Sequence, residues 1–130
     1  MILMLCQRAK EHYFWQIGVE RMKANRTKAL EIPKAVKIKV ANRDSVDGWA
    51  CCILCGKPAP TNNPLAFSCC HYIARSQGGL GIEENILTLC PTCHREYDNE
   101  KRNEYRPFLR RYLQGQYKKF DESKLVYKKE

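Results

Sequence analysis

The hydrophobic and polar positions predict helices towards both ends of the chain. Residues 5–30 mix apolar and aromatic side chains with Lys, Arg and Glu at a loosely helical spacing, which favours a first helix. Near the other end, aromatic and leucine side chains recur every three or four residues. Pro107 suits a first helical turn, so we expect this second helix to begin near Glu104. After Gly115 the pattern frays into a Lys-rich tail.

Residues 34–43 are compatible with two kinds of secondary structure. Pro33 is favourable at the start of a helix, and Val36 and Val40 would then share one face. However, Val36, Ile38 and Val40 also alternate with lysines, as they would in a half-exposed strand. The pattern favours the helix and leaves the strand open.

The centre of the chain predicts short strands, a loop and a helix. Residues 44–48 are turn formers, and a short strand is expected over residues 49–54. Residues 65–74 predict a second strand and residues 82–89 a third, with a glycine-rich loop between them. Pro91 is well placed to begin the helix that closes this region.

The distribution of charge separates the centre from its flanks. The chain has 130 residues, which favours one domain with short extensions, and its net charge is +9. Residues 51–100 hold three basic and five acidic residues, whereas both flanks carry an excess of Lys and Arg. Such flanks favour a polyanionic partner, although the same charges could merely keep a small protein soluble. No stretch approaches the roughly 18 apolar residues needed to cross a membrane.

Four of the eight cysteines form two Cys-x-x-Cys pairs. Cys52 and Cys55 make the first pair, and Cys90 and Cys93 make the second. Four thiolates suit a tetrahedral structural zinc ion, which would stabilise a small core. The apolar N-terminus is too short for a secretory signal, so we expect a cytoplasmic protein that binds metal rather than a disulfide framework.

A second set of polar residues is not needed by a structural zinc site. Cys70, His71 and Asn85 lie between the cysteine pairs, and His94 directly follows the last cysteine. Asp98 comes four residues later, so in a helix it would lie on the same face as His94. These residues predict a separate, catalytic metal site, although Asp98 could equally be a carboxylate on an exposed helix surface.

Residues 33–99 resemble the HNH endonucleases, in particular the small phage and prophage type. The resemblance implies an α+β fold: a small ββα-metal core, stapled by a four-cysteine zinc site and flanked by N- and C-terminal helices. It divides the chain into a helical extension (1–32), a nuclease domain (33–103) and a basic helix with its tail (104–130). The stretches that match are residues 33–36, 41–44, 71–85, 88–90 and 93–98, together with the two cysteine pairs.

The resemblance implies metal-dependent hydrolysis of DNA phosphodiester bonds in a bacterial host cell. His71 would be the general base, Asn85 would brace the loop between the strands, and His94 would bind the catalytic ion. Asp98 could complete a site for Mg²⁺, Mn²⁺ or Ni²⁺. Both a homodimer and a phage packaging partner are compatible with this family.

One position departs from the family pattern. Many members place Asp or His directly before the general base, whereas this chain has Cys70. The thiol could bind a transition metal, or it could be a packing residue in a site that relies on His94, Asp98 and water, which we favour. The third interpretation is a degenerate site, and the protein would then be a non-catalytic zinc-binding module that binds nucleic acid.

Arginines on several predicted elements could contact phosphates of bound DNA and so provide affinity without sequence choice. They could also be solvated surface charges, and a protein that binds an acidic partner would show the same charge pattern. The candidate phosphate contacts are Arg43, Arg75, Arg106, Arg110 and Arg111.

Overall fold

The protein is an α+β structure, as predicted, in a computed structural model that describes residues 25–63 and 65–129. Most of the predicted first helix, including Cys6 and His12, lies outside the described residues. The described helices are α1 (Asn25–Leu30), α2 (Lys34–Arg43), α3 (Pro91–Asp98) and α4 (Arg102–Gln116). The strands are β1 (Ser45–Val46), β2 (Trp49–Ala50), β3 (Ser68–His71) and β4 (Ile86–Leu89).

Residues 34–43 form helix α2, so the alternative strand is wrong. Its alternating valines and isoleucine do not decide the structure, because the helix buries only Val40 and Ala41 near its end. The turn formers that follow make a tight hairpin between β1 and β2 rather than a plain turn. Asp47 and Gly48 both have positive φ, at 52° and 84°, which is what a two-residue Asp-Gly turn requires.

Strands β3 and β4 form the antiparallel pair at the centre of the fold, and α3 packs against both. His71 is opposite Ile86 and Ser68 is opposite Leu89. These two strands are shorter than predicted. The loop between them begins and ends in 3₁₀ turns, Arg75–Gln77 and Glu83–Asn85, and residues 65–67 before β3 form a turn. The two strands and α3 are the ββα unit that the sequence predicts.

The first predicted strand, residues 49–54, is also too long. Strand β2 ends at Ala50, and Cys51 makes only an isolated bridge to Pro58. The chain then turns back on itself, because the backbone N–H of Gly56 donates to the carbonyl of Cys52 at 2.9 Å. Gly56 has a positive φ of 75° in this turn.

Helix α4 begins at Arg102, two residues before the predicted start, and Pro107 therefore lies inside it. The aromatic and leucine spacing is the signal that the structure confirms, because Leu109 and Leu113 are fully buried on one face. The assumption that Pro107 occupies the first turn misplaces the start of the helix. A proline near the beginning of a helix removes only one backbone hydrogen bond, which packing of this face can offset.

The chain after α4 is packed rather than frayed. Residues Glu122–Leu125 form a 3₁₀ turn, and Val126 then forms a bridge to Gly79. The backbone N–H of Leu80 donates to the carbonyl of Leu125 at 2.8 Å. The tail therefore covers the glycine-rich loop between β3 and β4. No helix in the described part of the chain is both long and apolar enough to span a membrane.

Candidate functional site

Four cysteine sulfurs meet between the turn after β2 and the start of α3. The ligand atoms of Cys52, Cys55, Cys90 and Cys93 all lie within 4.8 Å of one another, and the sulfurs of Cys55 and Cys90 are 3.8 Å apart. Tetrahedral zinc with Zn–S bonds of about 2.3 Å places its sulfurs about 3.8 Å apart. The donor set and its spacing therefore fit a structural zinc ion, as the cysteine pairs predict.

A second cluster joins β3 to the exposed end of α3. Ligand atoms of Cys70, His94 and Asp98 also lie within 4.8 Å of one another. The Nε2 atom of His94 is 3.0 Å from Oδ2 of Asp98, and the sulfur of Cys70 is 3.9 Å from Oδ1. Burial and the nearby Asp98 carboxylate raise the pKa of the Cys70 thiol. The cluster combines thiol, imidazole and carboxylate groups that could hold a cation.

Ser68 orients His94 and is not among the site residues predicted from the sequence. Its hydroxyl oxygen is 2.7 Å from Nδ1 of His94, on the far side of the ring from the cluster. A partner of this kind fixes the orientation of a metal-binding imidazole. The signal is present in the sequence, because Ser68 and Cys70 are two residues apart on a strand and share a face.

His71 ends β3 and directs one ring nitrogen at the backbone of α1. Its Nε2 atom is 2.8 Å from the carbonyl oxygen of Leu30. A carbonyl only accepts, so Nε2 carries the hydrogen and Nδ1 keeps a lone pair in the neutral ring. Burial lowers the pKa of His71 below its ordinary value, and the Leu30 hydrogen bond only partly opposes this. The imidazole is therefore neutral near pH 7 and able to accept a proton.

Asn85 closes the loop that follows His71. Its side-chain oxygen accepts from the backbone N–H of Ile73 at 2.8 Å, and its Nδ2 donates to the carbonyls of Ile73 and Leu80 at 3.2 and 2.8 Å. The side chain is fully buried, so these bonds have no competing water. This position at the base of the loop is the one expected of a bracing residue.

An open cleft of about 450 Å³ contains the predicted reactive groups. His71, His94 and Asp98 line it together with two arginines, Arg75 and Arg102. Arg102 is not a predicted site residue, although it lies only four residues after Asp98, at the start of the next helix. The cleft therefore has two cationic groups beside the cation-binding cluster.

Arg102 is held in place by the protein on two sides. It donates to the carbonyl of Tyr72 at 3.0 Å and to Oδ1 of Asp98 at 3.3 Å. Its guanidinium also lies 4.3 Å from the centre of the Tyr97 ring. An arginine fixed in this way could present its remaining N–H groups to an anion in the cleft.

The structure gives Arg43, a predicted contact for nucleic acid, an internal role. Its side chain is 11 % exposed, and it donates twice to the carboxylate of Asp44. Its other donors bond to the hydroxyl of Tyr117 and to the carbonyls of Glu83 and Ile86. All five guanidinium N–H groups are thus used inside the protein, and none is left for phosphate.

The three arginines predicted on α4 lie away from the lining of the cleft. Arg110 donates to Glu122 at 2.9 Å, and Arg106 is 3.9 Å from the same carboxylate. The hydroxyl of Tyr72 also bonds to Glu122 and joins this group. Arg111 is exposed. Phosphate contacts by these three residues stay predictions.

One comparison with known proteins finds a family model that matches part of the chain. The family model described as HNH endonuclease matches residues 52–100, which include both cysteine pairs, the second cluster, His71 and Asn85. No curated protein matches the chain.

Proposed function

We propose that the protein is a metal-dependent nuclease that hydrolyses DNA phosphodiester bonds. The match of residues 52–100 to the HNH endonuclease family model supports this proposal. The observation that carries the proposal is the convergence of His71, His94 and Asp98 on one cleft beside two arginines. A base, a cation site and cationic side chains are the groups that phosphodiester hydrolysis needs. A family member that only bound nucleic acid would not require a neutral histidine at this place.

His71 is the general base of the proposed reaction. Its Nδ1 atom accepts a proton from water, while the Leu30 carbonyl keeps the hydrogen on Nε2. Asn85 holds the loop that begins directly after His71. In this role Asn85 positions the base and does not itself react.

The cation site consists of His94 and Asp98, with Cys70 beside them. A divalent ion bound there would act as a Lewis acid towards a phosphate oxygen and the leaving oxygen. Arg75 and Arg102, which line the same cleft, would bind the phosphate. The basic flanks add affinity for the DNA backbone that should weaken as the salt concentration rises.

His71→Ala is expected to lower the rate of metal-dependent plasmid nicking by about 10²- to 10⁴-fold, because general-base catalysis contributes about that much. The measurement is nicking of supercoiled plasmid with Mg²⁺, Mn²⁺, Co²⁺ or Ni²⁺ added, or with EDTA. Glu100→Gln changes an exposed residue outside the cleft and should cleave like the wild type. Zinc content and DNA affinity should be equal in all three proteins.

Absence of cleavage by the wild type with every metal, together with retained zinc and DNA binding, would refute the nuclease proposal. The protein would then be a non-catalytic zinc-binding module with a degenerate site. The substitution of Cys70 for a carboxylate is the feature that favours this second candidate.

Ser68→Ala is expected to weaken Mn²⁺ binding at the second cluster by about 10- to 100-fold, because removing an outer-shell partner of a metal-binding imidazole has that effect. If Nε2 of His94 held the ion, Nδ1 would carry the ring hydrogen and could donate it to the Ser68 hydroxyl, which lies 2.7 Å away. Calorimetric titration of the zinc-loaded protein measures the affinity. Ser45→Ala is the matched control, since its hydroxyl bonds to the Asn42 carbonyl in the β1–β2 hairpin. Equal Mn²⁺ affinity in the two variants would contradict the positioning role.

The proposal includes the predicted boundaries, with the nuclease domain at residues 33–103 between a helical extension and a basic helix with its tail. A phage origin, action in the bacterial cytoplasm, a homodimer and a packaging partner also stay predictions. Gel filtration of the cleavage-competent protein, alone and with a nicked plasmid, measures whether two copies pair.

A further inference from the structure

We propose that the second cluster selects a thiophilic transition metal over magnesium, with the Cys70 thiolate as the third ligand beside His94 and Asp98. The use of the ion in cleavage rests on the proposed function, whereas the ligand set rests on the geometry alone. Neither the family match nor the structural zinc cluster assigns a ligand role to Cys70.

The spacing of the three ligand atoms is close to that of a tetrahedral site. With bonds of about 2.0–2.1 Å to nitrogen or oxygen and about 2.3 Å to sulfur, neighbouring ligand atoms lie about 3.3–3.6 Å apart. Here Nε2 of His94 is 3.0 Å from Oδ2 of Asp98, and the sulfur of Cys70 is 3.9 Å from Oδ1 of the same carboxylate. One ligand atom from each of the three residues lies within 4.8 Å of the other two, so modest side-chain adjustments would bring the three ligands to one ion.

The fold holds this triangle on two elements that pack together. Cys70 is fully buried in β3, directly before the proposed base, while His94 and Asp98 lie one turn apart on α3. The adjacent Cys69 lies on the opposite face of the strand, where it lines the cleft but contributes no ligand atom to the cluster. The two neighbouring cysteines therefore differ in their distance from His94 and Asp98, and Cys69 can serve as the control.

The ligand chemistry disfavours magnesium. Magnesium requires near-octahedral coordination by oxygen, whereas a soft thiolate favours ions such as Zn²⁺ and, with imidazole, Co²⁺ or Ni²⁺. As the ion binds, the thiol releases its proton to solvent and forms the metal–sulfur bond. Three protein ligands would leave a fourth position on the ion, as in catalytic rather than structural zinc sites, and His94 and Asp98 line the cleft from which that position could be filled.

Cobalt titration of the purified zinc-loaded protein tests this ligand set without relying on cleavage. The wild type should bind one further Co²⁺ and develop a near-ultraviolet sulfur-to-cobalt absorption band. Cys70→Ser should lose the band and bind Co²⁺ more weakly by at least roughly 10- to 100-fold, since it removes a ligand rather than an outer-shell partner. Cys69→Ser, the neighbouring thiol, should keep both. Thermal unfolding of each variant checks that the fold is intact.

Cys70→Asp replaces the soft thiolate with a carboxylate, an oxygen ligand that suits magnesium. This variant should gain Mg²⁺ binding, measured by calorimetry, and lose the cobalt band. An unchanged cobalt band in Cys70→Ser, or Mg²⁺ binding by the wild type as tight as that of Cys70→Asp, would overturn the proposal. Plasmid cleavage distinguishes failure of this proposal from failure of the proposed function. If the cobalt band depends on Cys70 but no metal supports nicking, the ligand set is supported and the nuclease activity is refuted. Equal Mg²⁺-dependent nicking by wild type and Cys70→Ser refutes the ligand set and supports the nuclease.

Discussion

Cys52→Ser is expected to abolish zinc binding and cooperative folding, whereas Cys51→Ser is expected to retain both. The two residues are neighbours, but only Cys52 belongs to the four-sulfur cluster. The Cys51 thiol instead lies 3.4 Å from the carbonyl of Trp49. The pair therefore compares loss of a ligand with loss of an adjacent thiol in the same short segment.

The expected effect is large because the four-sulfur cluster joins elements that are weak by themselves. Its sulfurs connect the turn after β2 to the first turn of α3. Strands β3 and β4 have four residues each, and a two-stranded sheet is marginal without further packing. Structural zinc supplies an apparent binding free energy of about 10–16 kcal/mol in zinc-finger peptides, which is as large as the whole unfolding free energy of a typical domain.

Zinc content per chain and thermal unfolding followed by circular dichroism measure this prediction. The wild type should hold one tightly bound zinc ion and lose its unfolding transition when a strong chelator removes the ion. Cys52→Ser should resemble the chelated wild type before any chelator is added. A Cys52→Ser protein with a full complement of zinc and an unchanged melting temperature would show that these four sulfurs are not the zinc site.

The parts of the site that depend on local spacing are predictable from the sequence. Two Cys-x-x-Cys pairs predict the sulfur cluster, and a helix beginning at Pro91 predicts that His94 and Asp98 share a face. Both inferences need only short-range geometry, which the chain fixes through 3.6-residue helical periodicity and tight turns. For the same reason the ββα order can be read from the sequence.

The contacts that the sequence does not predict join residues far apart in the chain. The carbonyl of Leu30 meets His71, and the tail at Val126 meets Gly79. A contact made by a backbone carbonyl does not depend on the side chain of that residue, so the residue type does not predict it. The Lys-rich composition of the tail likewise does not predict its bridge to the loop. The predicted strands are too long because the sequence does not predict how the loop between them closes. The 3₁₀ turns after β3 and before β4 belong to this loop, which Asn85 closes by its hydrogen bond to the carbonyl of Leu80.

Arg43 is the clearest case in which charge alone gives the wrong interpretation. Counted as a surface charge, it is expected to contact DNA. In the structure its guanidinium lies over the rings of Tyr112 and Tyr117, at 5.7 and 5.8 Å from their centres. Although burial opposes its charge, hydrogen bonds to Asp44 raise the pKa of Arg43 above its ordinary value. It is therefore an internal cation that pairs with a fully buried carboxylate.

Asp44 would be left without its counter-ion if Arg43 were removed. The carboxylate also accepts from the backbone N–H of Thr88 at 2.9 Å and from the hydroxyl of Tyr112 at 2.5 Å. These neutral donors remain in Arg43→Ala, but the positive charge is lost and the carbonyls of Glu83 and Ile86 lose their donor. Breaking one side of a buried ion pair costs about 3–5 kcal/mol, because the remaining charge is desolvated and uncompensated.

Arg43→Ala is accordingly expected to reduce the free energy of unfolding by about 3–5 kcal/mol. Lys39→Ala, which removes an exposed charge from the same helix, should change it by less than about 0.5 kcal/mol. Arg43→Lys should recover only part of the loss, because an ammonium group cannot replace five donors in a planar arrangement. Urea unfolding of the zinc-loaded proteins gives these differences.

DNA affinity decides between the internal role of Arg43 and the phosphate contact predicted from the sequence. If the role of Arg43 is internal, folded Arg43→Ala should bind DNA with the same affinity as the wild type. The affinity is measured under conditions in which the variant is still native. Arg102→Ala should show the reverse pattern, with weaker DNA binding, because its guanidinium lines the cleft. The opposite result would contradict the internal role. If Arg43→Ala has the same urea midpoint of unfolding as the wild type and binds DNA more weakly, then Arg43 contacts phosphate and its ion pair with Asp44 does not stabilise the fold.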